Sequence, residues 1–220
     1  MALHVFTSIP GSAEADLARE VSLLDRAALG DASLFFYSWR GPVVVLGCGQ
    51  REDTVDRAFC EQTRIPVVRR VSGGTGVLHC DDLAVSLVLP VQHEWAGRIA
   101  GLYDRFLTVL QQALRDLGIA TSRSDAAFPR AQERSPVCFL DQTRETLLLG
   151  RRKAVGCAQA RRRGGVLVHA SILLNLRVDL YARVFRVPPE RIAASLAPLP
   201  RPDRTALVEA SLQRFAEALG

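Results

Sequence analysis

Four groups of residues in this 220-residue chain are of types that carry chemistry. The first is Lys153, the single lysine among 28 Lys and Arg residues. An ammonium is a compact point charge with three rotatable donors, whereas a guanidinium is a planar fork. A drift to arginine that spared one position marks a place where the fork does not serve, although a lone charge is otherwise solvated surface. The second is Cys138, in Ser135-Pro136-Val137-Cys138-Phe139, a strand and a turn before the lysine. A cysteine between apolar residues is ordinarily inert packing; beside a cation it becomes a thiolate nucleophile. The third is the loop Ser72-Gly73-Gly74-Thr75-Gly76, with Arg69-Arg70 before it and His79 after it. Glycines let the backbone approach closely, and successive amides can cradle an anion. The loop matches neither common phosphate-binding fingerprint, and Ser-Gly-Gly alone reads as a tight turn. The fourth is the pair His79 and His169, each ending a short apolar run as a core histidine does. His79-Cys80-Asp81-Asp82 is too compact for a metal cage, and none of the five cysteines is in C-x-x-C spacing, so no metal site is expected. The run Arg161-Arg162-Arg163 reads as a solvated turn, or as a patch that steers an acidic partner.

Patterning supplies the elements that must hold these groups. Residues 12–29 read as a helix, with Ser12 as its cap and Leu17, Val21, Leu24 and Ala28 on one face. Leu34–Trp39 and Val43–Gly47, joined through Gly41-Pro42, read as a hairpin. A helix over 54–64 and a strand over Pro66–Val71 lead to the glycine loop, and a strand over Leu83–Leu89 follows it. The spacing of Ile99, Leu102, Phe106, Leu110 and Leu114 predicts a core-facing helix over 95–117. Residues 122–136 are polar and broken by proline, a long loop of the kind that is functional or mobile. Strands are expected at Thr146–Leu149, Ala154–Gln159, Val166–His169 and Ser171–Leu174, then short helices at 178–185 and 190–196. Pro198, Pro200 and Pro202 form a stiff link to a final amphipathic helix carrying Leu207, Leu212, Phe215 and Leu219. Hairpins mixed with helices, without regular βαβ alternation, argue α+β.

An apolar content of 48% is ample for a core, and the length suits one domain. A net charge of +5 permits nucleic-acid or acidic-protein partners without selecting either. The odd cysteine count and the absence of a leader-like start point to a reducing cytoplasm. No apolar run approaches the length that spans a bilayer.

Taken in order, these stretches resemble the biotin/lipoate–protein ligase and octanoyltransferase superfamily. Arg69-Arg70-Val71-Ser72-Gly73-Gly74-Thr75-Gly76-Val77-Leu78-His79 resembles its Arg-Arg-x-[Ser/Thr]-Gly-Gly loop ending in histidine. Val45-Leu46-Gly47-Cys48-Gly49-Gln50 resembles its earlier strand ending in Gly-x-x-Gln. Gly150-Arg151-Arg152-Lys153-Ala154-Val155-Gly156-Cys157-Ala158-Gln159 resembles its lysine segment, and His169-Ala170-Ser171-Ile172-Leu173-Leu174 its His-Gly-[Ser/Thr]-x-Leu-Leu segment. Three departures stand out. Cys80 replaces the aspartate that usually follows the loop histidine, with Asp81 or Asp82 as substitutes; Ala170 replaces a glycine; and the accessory domain of many lipoate ligases has no counterpart.

The resemblance implies a fold of mixed sheets flanked by helices, like that of class II aminoacyl-tRNA synthetases. Residues 1–197 would be the catalytic domain, with 198–220 a linker and helix packed on it. It implies acyl transfer to one lysine of a lipoyl-domain protein, such as an E2 subunit or a glycine-cleavage H-like protein, with no nucleic acid and no membrane. As a lipoate–protein ligase, placed first because of the Ser-Gly-Gly form of the loop, the chain would use ATP and Mg2+ to make an acyl-adenylate. Arg70, Ser72, Gly73, Gly74, Thr75, Gly76, His79, Gly156, Ala158, His169 and Ser171 would surround it, and Lys153 would polarise the attacked carbonyl. As an octanoyltransferase it would need no cofactor: Cys138 would take octanoate from acyl carrier protein and pass it on. A third reading, a non-catalytic acyl-protein binding module, is kept open by Cys80 and Ala170.

Overall fold

Strand β2 (Ala32–Trp39) is buried at all eight positions and shows how the layers are arranged. Successive side chains of a strand point to opposite faces. Leu34 and Phe36 enter one core, and Phe35, Tyr37 and Trp39 enter another. Both faces being covered, the strand reads as a continuous apolar run. It belongs to a seven-stranded sheet ordered β1 (Leu3–Gly11), β2, β6 (Leu83–Pro90), β10 (Gly165–Ile172), β9 (Arg152–Arg162), β8 (Thr146–Leu149), β7 (Ser122–Arg123). A three-stranded sheet is ordered β4 (Val67–Arg69), β3 (Pro42–Leu46), β5 (Val77–Cys80). The computed structural model describes residues 2–125, 135–162, 164–200 and 203–220. Most of the polar loop expected over 122–136, together with Arg163 and Pro202, therefore lies outside the described residues.

Helices α3 (Ile99–Asp116) and α6 (Arg204–Leu219) cover the first face of the large sheet. Leu102, Phe106, Leu110 and Leu114 are buried as their spacing predicts, whereas Ile99 is 58% exposed. The Phe106 and Phe215 rings meet at 5.3 Å, and Arg214 pairs with Asp116 at 2.6 Å. Helix α1 (Ala13–Arg26) and the small sheet cover the second face. Helices α2 (Arg57–Gln62), α4 (Val178–Phe185) and α5 (Pro189–Ser195) close a third cluster around Val44, Leu78, Tyr181 and Phe185.

Several expectations are corrected. The segments 34–39 and 43–47 form no hairpin: β2 lies in the large sheet and β3 in the small one, and the chain crosses at Gly41 with φ of 75°. Strand β1, parallel to β2, carried no sequence expectation. The two strands expected at 166–174 are one, β10, because Ala170 continues the ladder between β6 and β9. Ser12 sits at the N-cap of α1, but its hydroxyl bonds Glu14 rather than a backbone amide. The buried face of α1 is Ala13, Asp16, Leu17, Glu20, Leu23 and Leu24, so it includes two carboxylates, while Ala28 lies outside on the surface.

Candidate active site

Lys153 is 2% exposed. Its side chain crosses β9 towards the turn at Cys138–Leu140, where Nζ donates to the carbonyls of Cys138 at 2.9 Å and Asp141 at 3.0 Å. It also lies 5.1 Å from the centre of the Phe139 ring, whose face attracts a cation. Two of three donors are thereby engaged. Gly156 makes the crossing feasible: a Cβ there would stand 2.8 Å from Lys153 Cε and 3.3 Å from the Phe139 ring.

Cys138 is held from the other side by the end of the glycine loop. Its amide donates to Gly76 O at 2.8 Å, and Gly76 N donates to Pro136 O at 3.0 Å. Its side chain is half-buried. It stands where two cavities meet, an inner one of about 40 Å³ and an outer one of about 210 Å³. The inner walls include Leu17, Trp39, Val45, Val77, Phe139 and Ala170; the outer cleft is bordered by Gly73, Gly74, Thr75, Tyr103 and Lys153. Cys157 borders both cavities as well, but burial pushes its thiol well above the ordinary range against the pull of Lys153 and Arg123. By exposure the two thiols are alike, both being half-buried.

Arg70 does not reach into the cleft for an anion. Its guanidinium turns onto its own loop, donating to Ser72 Oγ at 2.9 Å, Gly73 O at 2.9 Å and Thr75 O at 3.0 Å. Arg69 likewise donates to Gly47 O and Gln50 O, both at 2.7 Å. The loop packs so close to β3 that a Cβ on Gly47 would lie 2.0 Å from Gly74 O. Ser72 is fully buried.

Behind the loop stands a constellation that the apolar reading of α1 missed. Glu20, 1% exposed, receives Tyr37 Oη at 2.8 Å, Ser86 Oγ, and His169 Nδ1 at 2.9 Å. His169 Nε2 lies 2.7 Å from Ser72 Oγ. Burial opposes charge on Glu20, yet His169 and then the hydroxyls hold its carboxyl below the ordinary range. His169 Nδ1 faces the carboxylate and donates to it, and its other ring nitrogen, Nε2, pairs with the Ser72 hydroxyl. The available signal was that Asp16 and Glu20 are in phase with Leu17 and Leu24. Asp16, the other buried acid, accepts Trp39 Nε1 at 2.9 Å.

A second set lies beside the inner pocket. Asp82, not Asp81, takes the place next to the loop histidine, with Oδ2 at 3.4 Å from His79 Nδ1 and 2.9 Å from the donor Ser171 Oγ. Asp82 Oδ1 is buried with no partner. Burial drives both groups neutral: Asp82 rises to about 8, and His79, pressed also by Arg70 and His169, falls to about 3. The contact is thus one of neutral partners rather than an ion pair. Cys80 is buried and its thiol is pushed up to about 12, so it packs rather than reacts. Ala170 lies in regular strand pairing, where no glycine is required. Gly156, Ala158, His169 and Ser171 all border the inner cavity, whereas Arg161 is turned away onto the carbonyl of Ala96 at 2.7 Å. Among the described residues no cluster of His, Cys, Asp or Glu is placed to hold a metal ion, and no helix is long and apolar enough to cross a membrane.

Two sheets flanked by helices, with a glycine loop facing a lysine strand across a cleft, define a class II synthetase-like catalytic domain. Residues 12–216 match the lipoyl protein ligase A/B catalytic domain, and the chain belongs to that family. It is 34% identical over 170 residues to octanoyltransferase LipM of Moorella thermoacetica, covering 74% of this chain and 61% of that protein. It is 33% identical over 172 residues to octanoyltransferase LipM of Carboxydothermus hydrogenoformans, covering 76% and 63%. The alignments thus span less than two thirds of these relatives' length. Among solved structures, lipoate-protein ligase A bound with ATP superposes with a TM-score of 0.83 at 22% identity, over 100% of this chain and 86% of that one. Biotin acetyl coenzyme A carboxylase synthetase from Helicobacter pylori superposes at 0.51 with 10% identity, over 100% and 76%. These likenesses show the shared fold.

Proposed function

We propose that the chain is an octanoyltransferase that moves a medium-chain acyl group from a carrier-protein thioester to the lysine of a lipoyl-domain protein. The observation that carries the reading is the suspension of Cys138 between Gly76 O and Lys153 Nζ at the junction of the two cavities. The names of its LipM relatives support it. Cys138 Sγ attacks the donor's thioester carbonyl, the carbon–sulfur bond to the carrier breaks, and the carrier thiol leaves with the proton. The acceptor's amine then attacks the new thioester, an amide forms, and the Cys138 thiol is regenerated. The acyl chain takes the inner, largely apolar cavity, whose walls must part beyond the present volume of about 40 Å³ to admit it, and the acceptor lysine enters by the outer cleft. Lys153 fixes the nucleophile's carbonyl, and its remaining donor is available to charge developing on the acyl oxygen.

The ligase reading asks the same cleft to hold ATP and Mg2+, and the residues fit that less well. Arg70 and Arg69 are bonded to backbone carbonyls rather than turned into the cleft for phosphates. The binding-module reading loses its motive, since Asp82 stands where the missing aspartate was sought and Ala170 fits its strand. The partners proposed are an acyl carrier protein and lipoyl-domain proteins of the E2 or glycine-cleavage H type, in the cytoplasm.

Mass spectrometry of a purified lipoyl domain is the test. Octanoyl mass gained from octanoyl carrier protein without ATP, and lost with Cys138→Ser, is expected. Mass gained only with free acid and ATP would overturn the reading. Lys153→Arg should lower the transfer rate by about 100-fold, the scale of a misplaced catalytic group; full activity would refute the role given to Lys153.

A further inference from the structure

The loop that holds Cys138 is itself held by a chain of buried polar contacts. Glu20 on α1 accepts from His169 on β10 at 2.9 Å, and His169 meets Ser72 at 2.7 Å. Ser72 accepts from Arg70 Nε at 2.9 Å, Arg70 staples Gly73 and Thr75, and Gly76 takes the Cys138 amide at 2.8 Å. We propose that Glu20, acting through His169, Ser72 and Arg70, is a positioning residue that sets where the backbone of Cys138 stands in the cleft. The inference rests on Cys138 being the acyl nucleophile.

The sequence Ser–His–carboxylate has the order of a nucleophilic triad, but the geometry assigns it another role. Ser72 is fully buried, and its oxygen already accepts from Arg70, so it is unavailable to a substrate. Each contact in the chain uses one donor and one acceptor. Glu20 accepts from His169 Nδ1, His169 Nε2 pairs with the Ser72 hydroxyl, and the Ser72 oxygen accepts from Arg70 Nε. Removing the carboxylate frees the imidazole to change tautomer or rotate. Ser72 and the guanidinium then lose the partner that fixes their orientation. A loop free to shift by a fraction of an ångström moves the nucleophile, because Gly76 and Cys138 share a backbone bond. Ser86 also donates to Glu20 but lies off the path to the loop.

Glu20→Gln and Ser72→Ala test this, with Phe215→Leu, a buried change in the remote contact between α3 and α6, as the control. Glu20→Gln keeps the side chain's shape, so it answers even where Ser72→Ala fails to fold. The expected result is a kcat for octanoyl transfer about 100-fold lower with KM for the carrier nearly unchanged. Alkylation of Cys138 by iodoacetamide, followed on its own peptide, should slow in the same variants. Phe215→Leu should lower Tm and leave kcat and alkylation near wild type. Variants that lose Tm but keep kcat and alkylation would overturn the inference, as would variants whose kcat falls no further than that of Phe215→Leu. Should the wild type transfer no octanoate, the proposed function fails, and the alkylation ratios alone decide the positioning role.

Discussion

Two carboxylate–histidine–serine sets flank the inner cavity, and their acids differ in charge. Glu20 with His169 and Ser72 is an ionised acid, whereas Asp82 with His79 and Ser171 is a protonated one. Burial is nearly complete at both acids, so burial does not separate them. Donors do. Glu20 collects Tyr37, Ser86 and His169, and each bond to a charged acceptor is stronger than one to a neutral acceptor. Asp82 has the Ser171 hydroxyl, a long contact to His79, and an oxygen with no partner. Composition alone does not set the charge of a buried site; the donors aimed at it do.

The comparison can be broken most forcefully at Glu20. Glu20→Ala leaves three buried donors facing a void, and breaking a buried pair of this kind costs about 3–5 kcal/mol. Urea denaturation should show that loss, whereas Asp82→Ala, which strands one hydroxyl, should cost clearly less. Tyr37→Phe removes one donor of three and should cost about 1 kcal/mol; no loss would mean that two donors already suffice.

Asp82→Asn is the mildest and most diagnostic change. A carboxyl whose folded pKa is raised lends stability below its unfolded pKa and loses it as pH rises through the folded value. Asp82, raised to about 8, therefore makes the protein less stable as pH climbs from about 4 towards 8. Glu20, held low, works in the other direction: its stability is present above its unfolded pKa and is lost on acidification. His79, held neutral down to about 3, adds to the acid-side loss between its ordinary 6.5 and that value. Asparagine keeps an acceptor for Ser171 and cannot ionise. Tm measured at pH 8 should rise by about 2–4 °C, the response of a domain this size to roughly 1 kcal/mol, with no gain at pH 4. An equal gain at both pH values would mean that Asp82 is not protonated in the native state.

How much of this the sequence displayed depends on how local each signal is. The glycine loop, the lysine strand and the segments around Cys138 and His169 are short contiguous stretches, so their residue types stand out before any fold is known. The buried helix of 99–116 was legible because its period is strong. Gly41-Pro42 announces a turn but not which sheet the next strand joins, so β2 and β3 were paired wrongly. Glu20 and Asp16 escaped because a count of apolar residues along α1 passes over acids that share its buried face. Arg70 was expected to bind an anion because a sequence gives a guanidinium's presence and not its direction. Asp82 replaced the missing aspartate because Asp81, at φ of 72°, turns the chain and faces Arg204 instead.

The burial of Lys153 has one more consequence. An enzyme that carries an activated acyl thioester is exposed to its own amines, and any lysine on its surface competes with the intended acceptor. Here the one lysine of the chain is 2% exposed, with two of its three N–H bonds turned onto carbonyl oxygens. The other 27 of the 28 Lys and Arg side chains are arginines, so the chain stays basic while an acyl thioester on Cys138, as proposed, would meet no exposed lysine. On the proposed mechanism, arginine in place of lysine leaves the chain a poor acceptor of its own acyl group.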